Sequence, residues 1–323
     1  MKEYTVAVVG ATGLVGGTML GALENGRFPV KRLVPLASAR SKGRTLAFEG
    51  RQYEVQEVSQ AAFEGVDLAL FAAGGAVSLK WAPVAAAMGA LVVDNSSAFR
   101  MEKEVPLVVP EVNPEDLRPS GIIANPNCST IQSVVALAPL RPFGLRRVVY
   151  SSYQAVSGSG LRGLHDLENN TQNFYPHPIA GNLLPHIDSF TEDGYTKEEH
   201  KMINETRKIL HLPQLAVTAT TVRVPVPYGH GVSINVELEQ DFDMQQIRGA
   251  LAAQPGLIVQ DDPGKNLYPM PLYAAGRDEV FVGRIRRDFS VKNGLNLWVV
   301  ADNVRKGAAV NAVQIARRVL GVD

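Results

Sequence analysis

The amino-terminal segment of the chain passes from a strand-like run through glycines into a helical pattern. Residues 5–9 (TVAVV) are continuously apolar and largely β-branched, and residues 10–16 (GATGLVG) follow at once. Such a run is typical of a strand buried on both faces of a parallel sheet. The glycines permit a tight turn, and the first amides of a helix over 14–23 can bind a pyrophosphate. We predict a phosphate-binding turn that includes Gly10 and Gly13, although the G-x-x-G-x-x-G spacing leaves a glycine-rich turn without a ligand as the alternative.

Strands and helices alternate over the first 140 residues. The predicted strands after the first are 32–36, 67–73, 90–94, 108–113 and 121–124, and the helices after the first are 78–88 and 129–140. This alternation predicts an α/β, Rossmann-type, doubly wound parallel sheet, whose ligands bind beyond the carboxyl ends of the strands. Gly74 and Arg100 follow two of these strand ends. Gly74 would let a cofactor pass close to the backbone, and Arg100 could bind a phosphate or carboxylate, although a single arginine more often lies on the surface.

The pattern changes after residue 140. The predicted strands are now long and separated by few helices: strands 146–156, 216–226, 232–239, 279–287 and 295–301, and helices 161–174, 197–210 and 244–253. We predict a second α+β domain with a mixed or antiparallel sheet. A final helix over 304–320 has one apolar stripe and is expected to return to the first domain. The predicted domains are therefore 1–127 completed by 303–323, and 128–302.

Charge and cysteine content exclude several classes of function. The chain of 323 residues has 32 basic and 32 acidic side chains, so no basic field is present to bind a nucleic acid or an anionic membrane. Its single cysteine excludes an internal disulfide and C-x-x-C motifs, and no H-E-x-x-H spacing occurs, so we expect no metal. No apolar span of about 18 residues and no signal peptide are found, which predicts a cytoplasmic protein.

The lone cysteine, Cys128, lies where a predicted strand gives way to a helix. It would occupy the first turn of that helix, where unpaired amides and the positive end of the helix dipole stabilise a thiolate. A thiolate is the nucleophilic form of cysteine. The alternative is that Cys128 is a small buried hydrophobic residue, which is common for a lone cysteine.

The segment after the second strand indicates the type of dinucleotide. A fold that binds NAD usually carries an acidic residue here for the ribose 2′-hydroxyl, but residues 37–43 (ASARSKG) contain none. Ser38, Arg40 and Ser41 provide a cation and two hydroxyls, which suit the 2′-phosphate of NADP. A solvated basic turn is the alternative.

Several side chains of the second domain are candidates for substrate binding and proton transfer. Gln154 ends a strand and could orient an acyl group, and Arg223 interrupts an otherwise apolar strand, where its planar fork suits a carboxylate. His230 lies between two glycines in what we predict to be a loop, and its ordinary pKa of about 6.5 suits a general acid or base. Glu198 and Lys201 share a helix face, and a solvated surface pair is the default for that spacing.

Taken together, these motifs resemble those of the aspartate-semialdehyde dehydrogenase family over nearly the whole chain. The matching segments are 10–16, 38–41 (SARS), 95–100 (NSSAFR), 125–130 (NPNCST), 154–158 (QAVSG) and 198–201 (EEHK), with Arg223 followed by His230. The family reduces aspartyl 4-phosphate to aspartate 4-semialdehyde with NADPH, in lysine, threonine, methionine and isoleucine biosynthesis. One departure is Gly231, where many relatives carry serine.

The resemblance implies a role for each matching residue. Cys128 would carry the acyl group as a thioester, His230 would be the acid/base, and Gln154 would orient the substrate. Arg223 would bind the substrate α-carboxylate, Glu198 would lie near its α-amino group with Asn127 in the same pocket, and Arg100 and Lys201 would bind phosphate. A homodimer is also implied, with the second domain carrying the catalytic and dimerisation surfaces. The implied NADP(H) contacts are Gly10, Thr12, Gly13, Leu14, Val15, Ser38, Arg40, Ser41, Gly74, Ser157, Gly158 and Asn303.

Two other interpretations remain. An N-acetyl-γ-glutamyl-phosphate reductase would also have a cysteine after Asn-Pro, but its usual motif has glycine at the position of Asn127. A non-catalytic dinucleotide-binding protein could keep the fold, although it would have no need of the cysteine, the histidine and both arginines.

Overall fold

The computed structural model describes residues 2–322 and divides into two compact units. The chain up to Pro126, together with the chain from Ala308 onward, forms the first unit, and Asn127–Gly307 forms the second. The chain thus leaves the second unit after Gly307, later than the predicted boundary before Asn303. The reason is a set of hydrogen bonds within the second unit, in which Asp302 accepts from the Gly276 amide and Asn303 accepts from the Gly229 amide.

The first unit contains one six-stranded parallel sheet. Its elements are β1 (Tyr4–Val9), α1 (Leu14–Asn25), β2 (Val30–Ala37), β3 (Thr45–Phe48), β4 (Arg51–Glu54), β5 (Gln56–Glu57), β6 (Leu68–Phe71), α2 (Gly75–Ala87), β7 (Leu91–Asp94) and β8 (Ile122–Ala124). The strand order is β5-β2-β1-β6-β7-β8, with every pair parallel, and β3 and β4 form a separate antiparallel hairpin. The predicted doubly wound sheet is confirmed; the hairpin and β5 were not predicted.

The carboxyl-terminal helix, Val310–Leu320, belongs to the first unit. Its apolar stripe, including Ala312, Val313 and Ala316, shares a buried core with Val6 and Val8 of β1. The predicted return of this helix to the first domain is therefore confirmed. It begins later than predicted, because Arg305–Ala309 forms a π-helical turn.

The predicted strand over 108–113 is wrong. Only Leu107 forms a bridge to this sheet edge, through Ala124. The Val109 amide instead donates to the side chain of Asn113, and Pro110 has no amide hydrogen to give to a ladder. An apolar run interrupted by proline is buried here as a turn.

The second unit contains a six-stranded mixed sheet. Its elements are α3 (Cys128–Leu137), β9 (Leu145–Gln154), α4 (Gly160–Asn169), α5 (Lys197–Ile209), β10 (Ala216–Arg223), β11 (His230–Leu238), α6 (Met244–Ala253), β12 (Leu257–Val259), α7 (Pro271–Ala274), β13 (Val280–Asp288) and β14 (Gly294–Ala301). The order is β10-β9-β11-β14-β13-β12, with the two outer pairs parallel and the inner pairs antiparallel. This confirms the predicted mixed sheet. The helix Val310–Leu320 is α8.

The two faces of the mixed sheet differ in burial. Side chains on one face are fully or almost fully buried, including Val148, Ile234 and Val299. On the other face Ser233 pairs with Ser151 and with Trp298 across neighbouring strands, and these side chains are only half-buried. One face therefore forms the core of the unit, and the other is open at its centre.

Several element ends in this unit differ from the predictions, and two of these differences have a clear cause. The helix predicted over 161–174 ends at Asn169, because the buried carboxylate of Asp166 accepts hydrogen bonds from the amides of Asn173, Phe174 and Tyr175 and folds that segment into a turn. The strand predicted over 216–226 ends at Arg223. Proline at position 225 and again at 227 has no amide hydrogen, so the ladder cannot continue.

Neither a membrane-spanning helix nor a metal-binding cluster occurs in the described part of the chain. Within residues 2–322, no helix combines the length and apolar content that crossing a membrane requires. In the same range, no three His, Cys, Asp or Glu side chains are grouped so that they could hold a metal ion.

Candidate active site

Cys128 is the first residue of α3, and the residue before it caps that helix. The side chain of Asn127 accepts hydrogen bonds from the amides of Ser129 and Thr130, at 3.0 and 3.2 Å. A cap of this type stabilises a helix by about 1 kcal/mol and fixes its first turn. Cys128 is partly exposed, and the helix dipole favours its ionised form. The predicted strand-to-helix position of the thiol is confirmed.

Asn127 also donates two hydrogen bonds to side chains of α5. Its side-chain nitrogen donates to Glu198 at 2.8 Å, and its backbone amide donates to Glu205 at 2.6 Å. Glu198 and Glu205 lie on α5 and are buried. Because Cys128 follows Asn127 directly, these two hydrogen bonds to α5 fix the backbone immediately before the thiol.

Glu198 is a buried carboxylate rather than part of a solvated pair. Burial opposes its ionisation, but the nearby Lys201, the hydrogen bond from Asn127 and the charge of Arg223 outweigh burial and hold its pKa below the ordinary value. Lys201 contacts Glu198 at 3.2 Å and Asp188 at 2.7 Å. The default expectation of a surface pair is therefore wrong for Glu198, which is a buried negative charge.

Arg223, the last residue of β10, is 5% exposed. One terminal nitrogen donates to the Ala155 carbonyl at 2.7 Å. Its Nε atom is buried and has no hydrogen-bond partner among residues 2–322. A Cβ atom added at Gly158 would lie 2.8 Å from the Arg223 guanidinium, so the glycine leaves room for this arginine. The expected buried arginine is confirmed, and part of its fork is available for a ligand.

His230 begins β11 and is fully buried, so its predicted placement in a loop is wrong. Gly231 makes this placement possible: it pairs with Tyr153 in the ladder, and a Cβ atom there would collide with the ring of Trp298. The Nδ1 atom of His230 accepts a hydrogen bond from the Ala155 amide at 3.0 Å. Burial, aided by the positive charge of Arg223, lowers the pKa of His230 well below its ordinary value.

The remaining predicted residues of the second unit lie in or beside the same strands. Gln154 ends β9, is buried, and donates to Ser152 at 3.2 Å. Ser157 follows in a short 3₁₀ turn and is hydrogen-bonded to Asn303 at 3.0–3.1 Å. A hydrogen bond from Asn127 to Glu198 and the charge of Arg223, which acts on both Glu198 and His230, thus link these four residues into one buried polar group. Ser157 and Asn303 form a second pair.

Sequence reasoning missed three residues at this site. Glu205 holds the Asn127 amide, and Gln132 on α3 donates to the backbone carbonyls of His230 and Val299 at 3.1 and 3.0 Å. Gly307 faces Cys128, because an added Cβ atom would lie 2.9 Å from the Cys128 Cβ atom. Glu205 lies two turns after Glu198 on the same face of α5, and this spacing is the signal that the sequence offers. The contacts of Gln132 and Gly307 depend on segments that are distant in the sequence.

A cavity of about 510 Å³ lies beyond the strand ends of the first unit. Of the predicted cofactor residues, it is lined by Gly10, Thr12, Gly13 and Ser38. Gly10 has φ +87°, and a Cβ atom there would lie 2.9 Å from the Ala72 carbonyl, so the turn requires glycine. The cavity also contains the side chains of Glu57, Lys80 and Trp81. This glycine cradle fits a dinucleotide.

The other cofactor candidates of the first unit surround this turn. Arg40 and Ser41 form a 3₁₀ turn after Ser38, and the Thr12 hydroxyl donates to Ser41 at 3.4 Å. Leu14 and Val15 begin α1, where Val15 packs on the core, and Gly74 precedes α2. Each of these residues thus lies in a turn or at the start of a helix, and Arg40 is exposed.

Arg100 lies in the first unit and is buried rather than on the surface. Its guanidinium donates to the backbone carbonyls of Asn125 and Asn95, both at 2.9 Å. These bonds orient the side chain at the carboxyl ends of β7 and β8.

Two family models match the chain, and both describe a semialdehyde dehydrogenase. The NAD-binding domain of that class matches residues 5–120, and its dimerisation domain matches residues 137–306. The fold and the site therefore define a two-domain, nicotinamide-dinucleotide-dependent semialdehyde dehydrogenase.

Individual relatives narrow this class. The chain is 56% identical to aspartate-semialdehyde dehydrogenase of Aquifex aeolicus, with 97% of each chain covered, and 51% identical to that of Bacillus subtilis, with 96% covered. It superposes with TM-score 0.96 on the crystal structure of aspartate semialdehyde dehydrogenase II from Vibrio cholerae complexed with ASA, at 46% identity over 100% of this chain and 99% of that one. The chain belongs to the aspartate-semialdehyde dehydrogenase family.

Proposed function

We propose that the chain catalyses the reversible, NADPH-dependent conversion of L-aspartyl 4-phosphate to L-aspartate 4-semialdehyde and phosphate, in the biosynthesis of lysine, threonine, methionine and isoleucine. The observation that carries the proposal is a buried polar group in the second unit, in which Asn127, the residue that caps the Cys128 helix, donates to the Glu198 carboxylate and the charge of Arg223 acts on that carboxylate. A cation and an anion at fixed positions suit the α-carboxylate and α-amino group of an amino acid.

Cys128 is the proposed nucleophile. Its thiolate attacks the acyl carbon, phosphate leaves, and a thioester forms on Sγ. Arg100 and Lys201 would bind the phosphate, Arg223 would bind the α-carboxylate, and Gln154 would orient the acyl oxygen. Glu198 together with Asn127 would hold the α-amino group.

The proposed cofactor is NADP(H). The glycine cradle at Gly10 and Gly13, the Ser38–Arg40–Ser41 turn and the Ser157–Asn303 pair are the residues proposed to hold it. Bound there, the cofactor supplies the hydride that reduces the thioester. The chain's own contribution is to hold the acyl group on Cys128 and to stabilise the negative charge that appears on its oxygen. Its location in the cytoplasm stays a prediction.

One assay separates the proposed activity from its alternatives. Reduction of NADP is followed with aspartate semialdehyde plus phosphate and, in parallel, with N-acetylglutamate semialdehyde plus phosphate. We expect turnover with the first aldehyde only. Turnover with the second would indicate an N-acetyl-γ-glutamyl-phosphate reductase, and a protein that binds NADP but turns over neither would be a non-catalytic relative.

The preference for NADP can be tested by replacing Arg40. Replacing Glu57, whose charge is opposite, should have the opposite effect. Replacing Arg40 by alanine should raise the KM for NADP by about tenfold and leave the KM for NAD nearly unchanged, because one charge-assisted bond to the 2′-phosphate is lost. The variant Glu57→Gln should lower the KM for NADP, since it removes a carboxylate from the cavity. An equal effect of Arg40→Ala on both cofactors would remove Arg40 from 2′-phosphate recognition.

The homodimer is proposed from the open face of the mixed sheet. Trp298 and Tyr153 lie there with ring centroids 5.7 Å apart, and Tyr153 is 39% exposed. A partly apolar, aromatic sheet face suits a second copy of the chain, because aromatic residues are enriched at the centres of interfaces.

Replacing Ser233 at the centre of this face by arginine should shift the protein from dimer to monomer. A buried, unpaired guanidinium is costly at an interface. Sedimentation velocity measures the mass, and Ser120→Arg on an exposed loop of the first unit is the control, expected to stay dimeric. A Ser233→Arg protein that remains a dimer would place the interface elsewhere.

A further inference from the structure

Gln132 joins the helix that carries Cys128 to the strand that begins with His230. It lies on α3, four residues after Cys128, and is fully buried. Its side-chain nitrogen donates to the backbone carbonyl of His230 at 3.1 Å and to that of Val299 at 3.0 Å. An amide nitrogen carries two hydrogens, so both of its donors are used in these two bonds.

The two bonds hold one particular face of α3. Residues four apart on a helix lie one above the other, so Gln132 and Cys128 are on the same face. His230 pairs with Ala301 of β14, and Val299 lies two residues before Ala301 in that strand. The two acceptors therefore belong to neighbouring strands near the start of β11. A nitrogen bound to both of them has one position between the strands, and this position fixes the helix against the start of β11.

The bonds of Gln132 complete the placement of the two residues proposed for the chemistry. The start of α3 is tied to α5 through Asn127, and the imidazole of His230 accepts a hydrogen bond from the Ala155 amide. These contacts hold the thiol and the ring to different parts of the second unit. Gln132 supplies a direct link between the helix of Cys128 and the backbone of His230.

Stability does not explain an amide at this position. The Oε1 atom of Gln132 is buried and has no hydrogen-bond partner among residues 2–322. A buried acceptor without a partner destabilises the folded state, whereas an apolar side chain of the same shape carries no such penalty. An amide that is kept despite this penalty indicates a role for its two donated bonds.

We infer that Gln132 is a positioning residue, which sets the separation between Cys128 and His230 by holding the His230 backbone carbonyl. The inference rests on the proposed function, in which Cys128 is the nucleophile, and on the acid/base role that the sequence predicts for His230. Acyl transfer and proton transfer need their partners at defined distances, and a misplacement of about 1 Å can lower a rate by about 10²-fold. In this role Gln132 acts only through these two residues.

Replacing Gln132 by methionine removes both donors and keeps the length of the side chain. We expect kcat to fall by about 20-fold, because the thiol and the imidazole are displaced relative to each other. The KM values for aspartate semialdehyde and NADP should stay within about twofold, and Tm within about 4 °C, since an unsatisfied acceptor is removed together with the two bonds. A folded Gln132→Met protein with the kcat of the wild type, or with its loss in KM instead, overturns the inference.

Two further variants accompany this measurement. The amide of Gln132→Asn is one methylene shorter, so it should show the same loss in kcat, and it decides the question if Gln132→Met does not fold. Ser133 is the matched control, because it is buried on the same helix and its hydroxyl donates within α3 to the Ser129 carbonyl at 2.7 Å. Ser133→Ala should keep the kcat of the wild type. An equal fall in kcat in Ser133→Ala would assign the effect to a loosened helix.

A double-mutant cycle separates positioning from a general loss of order. A His230→Gln protein has no imidazole to be placed, so adding Gln132→Met to it should lower the residual kcat by less than about threefold. The full loss of about 20-fold in this background would mean that Gln132 does not act through His230, and would overturn the inference.

Alkylation of the thiol tests the placement without turnover. Cys128 is the only cysteine, so its rate of reaction with iodoacetamide reports on one site. We expect this rate to fall by about fivefold in Gln132→Met, because a displaced imidazole supports the thiolate less, and to be unchanged in Ser133→Ala. An unchanged rate in Gln132→Met overturns the inference. If the alkylation rates differed as expected while the wild type turned over no semialdehyde, the proposed function would fail and the placement of Cys128 by Gln132 would stand.

Discussion

Replacing Cys128 by serine is expected to lower kcat by a factor on the order of 10⁴, because a hydroxyl at the same position is a much weaker nucleophile and forms no thioester. The helix cap at Asn127 does not involve the thiol, so α3 should remain formed. The measurement is the rate of NADP reduction with aspartate semialdehyde and phosphate.

Cofactor binding provides the control for this variant. Trp81 lines the cavity of the first unit, so quenching of tryptophan fluorescence by NADP reports binding independently of turnover. We expect equal quenching curves for the wild type and Cys128→Ser. Equal activity of a Cys128→Ala protein and the wild type would discard the covalent route.

Replacing Arg223 by lysine should reduce kcat/KM for aspartate semialdehyde by about 10²-fold, and Arg223→Met should reduce it by about 10³-fold. Lysine keeps the charge but loses the planar fork, whereas methionine loses both and leaves Lys201 as the nearby cation of Glu198. A 10²-fold loss of kcat/KM corresponds to a loss of about 2.7 kcal/mol of transition-state stabilisation.

The specificity of this effect can be checked with two comparisons. Arg277 is exposed and paired with Glu279 at 3.0 Å, so Arg277→Lys is a matched control and should be unaffected. An aldehyde of the same length without the α-carboxylate should be used equally by the wild type and Arg223→Lys. If Arg223→Lys lost activity equally with both aldehydes, Arg223 would not be the carboxylate ligand.

The sequence predicts those parts of the fold that depend on local pattern. Continuous apolar runs identified β1, β6 and β7, and the strand–glycine–helix turn at Gly10 was found because glycine is required there for steric reasons. The position of Cys128 at a helix start follows from the strand-breaking Asn-Pro-Asn before it. The local pattern is enough to identify these features.

The errors arise where a side-chain hydrogen bond or a distant residue overrides the local apolar pattern. Residues 108–113 have the apolar character of a strand, but the side chain of Asn113 accepts a hydrogen bond from the Val109 amide, which strand pairing would need. His230 looked like a loop residue because glycines flank it, yet Gly231 lies under the Trp298 ring, which only the pairing of β11 with β14 brings there. Similarly, Glu57 reaches the cofactor cavity through the pairing of β5 with β2.

The polar network of the second unit was only partly predictable. Arg223 was identifiable because a charged residue in an apolar strand is rare unless it binds something. Glu205 and Gln132 were not, because polar residues on a helix usually face solvent, and only the packing of α3 against α5 and β11 shows that these two are buried.

The most direct test of the account is the reaction without phosphate. Mixing the enzyme with aspartate semialdehyde and NADP alone should give a burst of NADPH of about one equivalent per Cys128, since the thioester forms but has no phosphate to accept the acyl group. The intact protein should gain the mass of one aspartyl group, located on the peptide that contains Cys128. Full turnover on adding phosphate with neither a burst nor an adduct on that peptide would contradict the covalent mechanism.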